Sequence, residues 1–493
     1  MRKLASLVAI SAMLAVTLSA CGSDNNDSSG NTSAGNSDAK ANTSTNTSTN
    51  TSNSSSGNNA AADNKADSGS NAAAADPGEV VTIRTSITEG ELSKDQIAEF
   101  EAAHPNIKVE IDNVDATKLA AELATGDAPD IIRISGAFEV SNYVIKGLAL
   151  DLTPYIDSST VINKDDLVPI ADVFRFDGKT IGQGPIYGLP KDWSNDFALF
   201  YNKKVFDAAG VEVPDASKPL TWPEVMDLAK KLTKKEGGKV TQYGLAATEW
   251  GLTEPNFNQM LQYLLSSGAS ISSADNATMD FNQPAVKDYI NMWTDAVKSN
   301  VGPNSVNNDQ TNGGTLFLDD KAGLLIDGYW YSGVIRGNEK AKAHLDDFGM
   351  LPTPIAPGGT RVAPTGGATG GIIYSGSKHP KEAWTFFEWF FGGKPADDRA
   401  KTGWGLPIFK SKMGLLPQET NFDKQTYGVL QDELNYSSQY LQVNPYLGGG
   451  GWAIFSKYVT PIFFGKSTVD DAVAGMTKDA NVAVTEAKSA IGQ

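Results

Sequence analysis

"GLPKDWSNDFALFYNKKVF", residues 188–206, is the stretch on which the reading of this chain turns. Trp193 sits among Lys191, Asp192, Ser194, Asn195 and Asp196, with no apolar neighbour on either side. Directly after it, Phe197, Ala198, Leu199, Phe200 and Tyr201 form an unbroken apolar run, the pattern of a buried strand. A large aromatic ring in a polar loop that opens onto a core strand needs a partner. That partner is either another part of the fold or a molecule the fold meets.

Outward from this stretch, strands and helices alternate in both directions. On the N-terminal side, residues 80–87 predict a strand, and 94–103 a helix with Ile97 and Phe100 on one face. Ile107, Val109 and Ile111 alternate as a second strand, Leu119 and Leu123 mark a helix ended by Gly126, and "PDIIRI" (129–134) reads as a third strand. This alternation implies βαβ units and a mostly parallel sheet. Ligand sites in such sheets lie beyond the carboxyl ends of strands; here those are the loops 88–91, 113–115 and 135–139.

After Tyr201 the pattern restarts. "TWPE" (221–224) is a capping box with proline in the first helical turn, which makes Trp222 a packing residue at a helix start. "YGLAA" and "AGLLID" (322–327) read as strands, and "EPNFNQMLQYLLSSG" as a helix capped by Gly268. "GGIIYSG" is one more strand, followed by a helix over 379–391 in which Trp384 and Trp389 belong to the core. The last 40 residues predict helices over 452–464 and 468–490.

The N-terminal part has a different composition. Arg2 and Lys3, an apolar run over 4–18 and small residues before Cys21 have the layout of a secretory signal peptide over 1–20. Cys21 is the single cysteine of the 493-residue chain, so no internal disulfide can form. "LSAC" at this place resembles the lipoprotein box, which implies lipidation at Cys21 and, with two or three acyl chains, stable anchoring. Residues 22–78 hold Asn, Ser, Thr, Ala, Gly and Asp but no large apolar side chain, so the segment 21–78 is expected to be a disordered tether. A flexible coil of that length reaches about 40 Å. The remaining 79–493 is too long for one core and predicts two lobes. Formal net charge is −17, and two units more negative without Arg2 and Lys3, which argues against nucleic acid as a partner.

Catalytic chemistry has no positive signature. The three histidines, His104, His344 and His379, are scattered, and no nucleophile elbow, phosphate loop or dinucleotide fingerprint occurs. No metal, no cofactor and no enzymatic activity are expected.

Several stretches together resemble family 1 of the extracellular solute-binding proteins, the maltose-binding-protein-like substrate-binding lipoproteins of carbohydrate ABC transporters. They are "GDAPDII" (126–132), "GLP…LFYNKKVFDAAGVEVP…TWPEV" (188–225), "KAGLLIDGYW" (321–330), "SKHPKEAWTFFEWF" (377–390) and "GWGLPIF" (403–409). The resemblance implies an α/β fold of two lobes, each a mostly parallel sheet flanked by helices, joined by a hinge and closing on a ligand (type II periplasmic-binding-protein-like). It places lobe 1 at 79–192 plus 363–408 and lobe 2 at 193–362 plus 409–493. It implies a monomeric receptor, held by its lipid on the outer face of the cytoplasmic membrane of a Gram-positive bacterium. That receptor passes a mono- or oligosaccharide to the permease subunits of an ABC importer.

Binding sugar requires flat apolar surface for the ring's C–H faces and polar groups for its rim. Trp330 aligns with a tryptophan that the family stacks on sugar, and Trp452 resembles a second. Trp193, Asn195 and Asp196 fall at the first interlobe crossing. Glu254 and Asn256, at a helix start, and Trp250 on an adjacent loop are further candidates, although the family's aromatic residue there is missing. In the first lobe Ser135 and Glu139 follow the third strand, where Ile134 and Ala137 replace the tryptophan and aspartate of a maltose-like site. Glu89 and Asp327 complete the set. Alternatives are the same fold on a peptide, polyamine or anion, with Arg84, Arg133 and Arg175 converging in the last case, or a tethered surface glycosidase. A sensor that presents sugar to a receptor kinase is a further one.

Overall fold

The structure, a computed structural model, describes residues 79–136, 138–247 and 252–491; of Phe138 it describes the backbone alone. The expected signal peptide, Cys21, the tether and Trp250 lie outside the described residues. β1 (Val81–Thr85) and β2 (Ile107–Ile111) bury alternate side chains, as "VTIRT" and "IKVEI" dictate, and run parallel with Val81 opposite Ile107. β3 (Ile131–Ile134) is buried almost throughout and joins β1 on its other side, also parallel. Further on come β4 (Arg175–Phe176), β5 (Ile181–Ile186), β6 (Gly188–Pro190) and β7 (Leu199–Asn202). They are followed by β8 (Lys234–Glu236), β9 (Lys239–Ala247), β10 (Ala322–Ile326), β11 (Phe348–Leu351) and β12 (Gly370–Ile373).

Two five-stranded sheets result, ordered β2-β1-β3-β12-β6 and β11-β7-β10-β9-β8, with β4 and β5 as a separate pair. Both sheets are mixed. Parallel pairing holds for β1 with β2 and β3, and for β9 with β10. β12 is antiparallel to β3 and β6, as β7 is to β10 and β11. The expected predominance of parallel pairs is therefore confined to the βαβ portions. The antiparallel pairs include the four strands that flank the passages between the sheets, β6 with β12 and β7 with β11.

Helices cover the sheets where the sequence marks them. Lys94–Ala103 opens on a capping box of Ser93 and Gln96, and Trp222–Leu232 on one of Thr221 and Glu224 with Pro223 in its first turn. Trp222 is fully buried, its Nε1 donating to Gln262 Oε1 at 3.0 Å. Phe257–Ser267 ends at a left-handed Gly268. Pro380–Gly392 brings Trp389 to 5.1 Å from Phe100 in the first core. The chain's closing helices are Gly450–Phe463 and Val469–Ala490.

Among the described residues the chain passes between the two sheets three times. It goes through 191–198 from β6 to β7, through 352–369 from β11 to β12, and through 403–420 from the Lys394–Thr402 helix to the Asn421–Glu433 helix. These passes decide where a site can form.

Candidate functional site

The opening stretch is the first pass, and its polar residues tie the other passes together. Trp193 is 2% exposed. Its backbone pairs with Leu406 in the third pass (2.8 and 3.2 Å), and its Nε1 donates to Pro407 O at 3.1 Å. Asp196 is buried and accepts from Gly366 N and Gly367 N, each at 2.7 Å, and from the Thr365 hydroxyl at 3.1 Å, all in the second pass. Burial pushes its carboxyl up to about 6 against the pull of those donors, with the charge of Asp192 adding to the rise. Asn195 Nδ2 donates to Glu433 Oε2 at 3.4 Å. Glu433 also accepts from Thr353 N and Oγ1 (3.1 and 2.6 Å) and from Arg361 Nε and Nη2 (3.1 and 2.8 Å). A buried charge so fully paired holds its surroundings in one arrangement.

The same stretch receives the end of β10. Trp330 N donates to Ser194 Oγ and Tyr329 N to Asn195 Oδ1, both at 3.4 Å. Asp327 is buried, with Oδ1 accepting from Gly328 N at 2.8 Å, so it closes the turn that leads to Trp330. The structure thus brings Trp193, Asn195, Asp196, Asp327 and Trp330 together at the passes. Of these Trp330 alone is not fully buried, and it lines an open cavity of about 380 Å³ together with Asn312, Thr315, Leu318 and Tyr331. By contrast, a void of about 10 Å³ beside Lys191, Asp192 and Arg399 has room for about one water. Trp193, 2% exposed and bonded to Leu406 and Pro407, packs into the fold and does not line the larger cavity.

On the first sheet, Ser135 directly follows β3 and Glu139 lies in the first turn of the Phe138–Ile145 helix. Glu139 is half-buried and accepts from Ser135 N at 3.4 Å. Burial pushes its carboxyl up to about 7, with that hydrogen bond and the nearby Arg133 pulling the other way. Arg133 itself is paired with Glu91 and donates to Ser135 Oγ at 2.7 Å. The lobes meet beside this helix, where Asn142 Nδ2 donates to Pro445 O at 3.4 Å, just ahead of Trp452. Trp452 is half-buried at the start of its helix and packs against the second core.

The remaining candidates are committed elsewhere. Asn256 caps the Phe257–Ser267 helix by accepting from Gln259 N at 2.8 Å and bonds through its backbone to Tyr289. Glu254 accepts from Ser305 N at 2.6 Å. Glu89 is exposed, 4.0 Å from Lys94. Arg84, Arg133 and Arg175 do not converge: Arg84 pairs with Asp112, Arg133 with Glu91, and Arg175 with Asp172.

One aromatic residue beside the site escapes the sequence reading. Trp404, in the third pass, lies with its ring centroid 5.7 Å from that of Trp330, inclined by 49°. Its signal, an indole between two glycines in "GWGLP", is of the same kind as Trp193 among polar residues.

The sequence matches the bacterial extracellular solute-binding protein family over residues 84–394. A Brucella abortus protein named as a binding protein is 27% identical over 374 residues, 74% of this chain and 82% of that one. In fold, the chain is similar to the ABC substrate-binding protein Lmo0181 of Listeria monocytogenes, solved with cycloalternan. That likeness has a TM-score of 0.65 and 23% identity, over 82% of this chain and 98% of the other. It is also similar to the GacH receptor of Streptomyces glaucescens, solved unliganded and with acarbose (TM-score 0.63, 21% identity, 82% and 98% covered). These neighbours are two-lobe solute-binding proteins, and the two sheets joined by three passes are the same architecture. On its sequence match and its fold, the chain belongs to the bacterial extracellular solute-binding protein family.

Proposed function

We propose that the protein captures a mono- or oligosaccharide between its two lobes and delivers it to the permease of an ABC importer, without transforming it. The observation that carries this reading is Trp330, held through its backbone by Ser194 at the meeting of the passes and lining, with Asn312 and Thr315, an open cavity of about 380 Å³. An aromatic side chain and polar ones lining one cavity suit a sugar, which has apolar faces and a hydroxylated rim. The sugar-bound neighbours of the same fold support the choice of ligand class. Glu139, poorly solvated and near the interlobe contact, is the acceptor proposed for a sugar hydroxyl, with Ser135 beside it; Trp452 is a second stacking ring. Lobe limits at 79–192 plus 363–408 and 193–362 plus 409–493 keep each sheet whole. Lipidation at Cys21 would hold this monomeric receptor at the outer face of the membrane, and the tether would give it reach.

The test is intrinsic tryptophan fluorescence and thermal shift across a panel of mono- and oligosaccharides. One sugar class should give a saturable change in the wild type, weakened about tenfold or more in Trp330→Ala. A response to amines or anions with none to sugars would transfer the fold to another solute, and release of shortened sugars would make the protein a glycosidase.

A further inference from the structure

Trp404 leaves more than half of its surface to solvent, at 53%, yet the chain around it is held firmly. On one side Arg336, from the helix after Trp330, donates through Nη2 to Thr402 O and Gly403 O at 3.3 Å each, while its Nη1 bonds the buried Asp423 at 3.0 Å. Gly403 takes a left-handed turn at φ +63°, and a Cβ there would lie 2.1 Å from Arg336 Nη2. On the other side Leu406 pairs with Trp193. An indole kept in water by a backbone anchored at both flanks presents a surface rather than filling a core. It faces Trp330, which belongs to the other sheet's body and also walls the 380 Å³ cavity.

Stacking on a sugar needs the ring's apolar face parallel to the indole plane. Two indoles inclined by 49° cannot both lie flat on one ring. Each can serve a ring of its own, at a centroid separation suited to adjoining units. On the reading that the solute is a sugar, we infer that it is an oligosaccharide and that Trp404 binds a further unit beside the one on Trp330. Because the two tryptophans come from opposite bodies, the second unit is gripped only as the lobes approach, so chain length and closure are linked.

The test uses calorimetric titration of the whole protein with two probe series, maltose to maltotetraose and mannobiose to mannotetraose. In the series that binds, affinity should rise about tenfold from the disaccharide to the tetrasaccharide, which corresponds to about 1.4 kcal/mol. Trp404→Ala should flatten that rise, its loss growing with chain length, and Trp404→Phe should restore part of it. The melting temperature without sugar should be unchanged, since the ring is exposed. Equal affinity for all lengths in the wild type, or a Trp404→Ala loss that is uniform or absent, overturns the inference and leaves the carbohydrate reading standing. Binding to neither series, with no response across the wider sugar panel, removes that reading and this inference with it.

Discussion

Glu139 shows what a single residue contributes at the meeting of the lobes. A carboxyl raised to about 7 favours its protonated form in the folded protein relative to the unfolded chain, where a glutamate ionises near 4.3. Its stabilising contribution is therefore complete below the unfolded value and is lost as pH rises through about 7. Glutamine imitates the protonated side chain at every pH. The melting temperature of Glu139→Gln minus that of the wild type should thus increase by about 1–3 °C between pH 5 and pH 8. A difference that stays flat across this range would mean that the carboxyl is solvated and normal. The sequence placed Glu139 after a strand end, but no local pattern announces how far the fold withdraws its carboxyl from water.

Elements pack where small residues allow it. Gly244 in β9 is crossed by the Trp222–Leu232 helix so closely that a Cβ would lie 1.7 Å from Ala229 O, a backbone atom that cannot swing aside. Gly244→Ala should cost about 3 kcal/mol or more in denaturant unfolding, the upper end of overpacking. Gly428, in the exposed face of the Asn421–Glu433 helix, has open space around it. Gly428→Ala should instead stabilise by about 0.5–1 kcal/mol. A neutral Gly244→Ala would mean that the helix shifts freely off β9, and a neutral Gly428→Ala that the glycine costs its helix nothing.

The helices with caps were legible: Lys94–Ala103 is read to the residue, and Trp222–Leu232 begins at its capping box. Pro284–Ser299 was equally legible, with Val286, Tyr289, Ile290, Trp293 and Val297 on one stripe, and the strand-and-helix reading passes over it. Strand direction was not legible, because period-2 burial is the same in a parallel and an antiparallel ladder.

At the scale of the whole molecule, Trp193 is the joint between passes that the opening sequence only hinted at. Trp193→Ala would remove a buried indole and the Nε1 bond to Pro407, a loss of about 3–5 kcal/mol of stability. With the first pass no longer braced on the third, the sugar-free protein should show a larger radius of gyration by small-angle scattering. An unchanged profile with an unchanged melting curve would mean that the passes hold each other without it. What the sequence determined by itself was the class of fold, the alternation of strands and helices, the caps, and a tryptophan at the end of β10. These follow from local period and from turn chemistry, which act over a few residues. What only the tertiary structure decided was the use of the polar loop. Trp193 meets Pro407 across 214 positions, Asn195 meets Glu433 across 238, and Asp196 meets Gly366 across 170. No local pattern encodes partners at such separations. The same distance hid Trp404, whose meaning depends on Trp330 arriving from the other sheet.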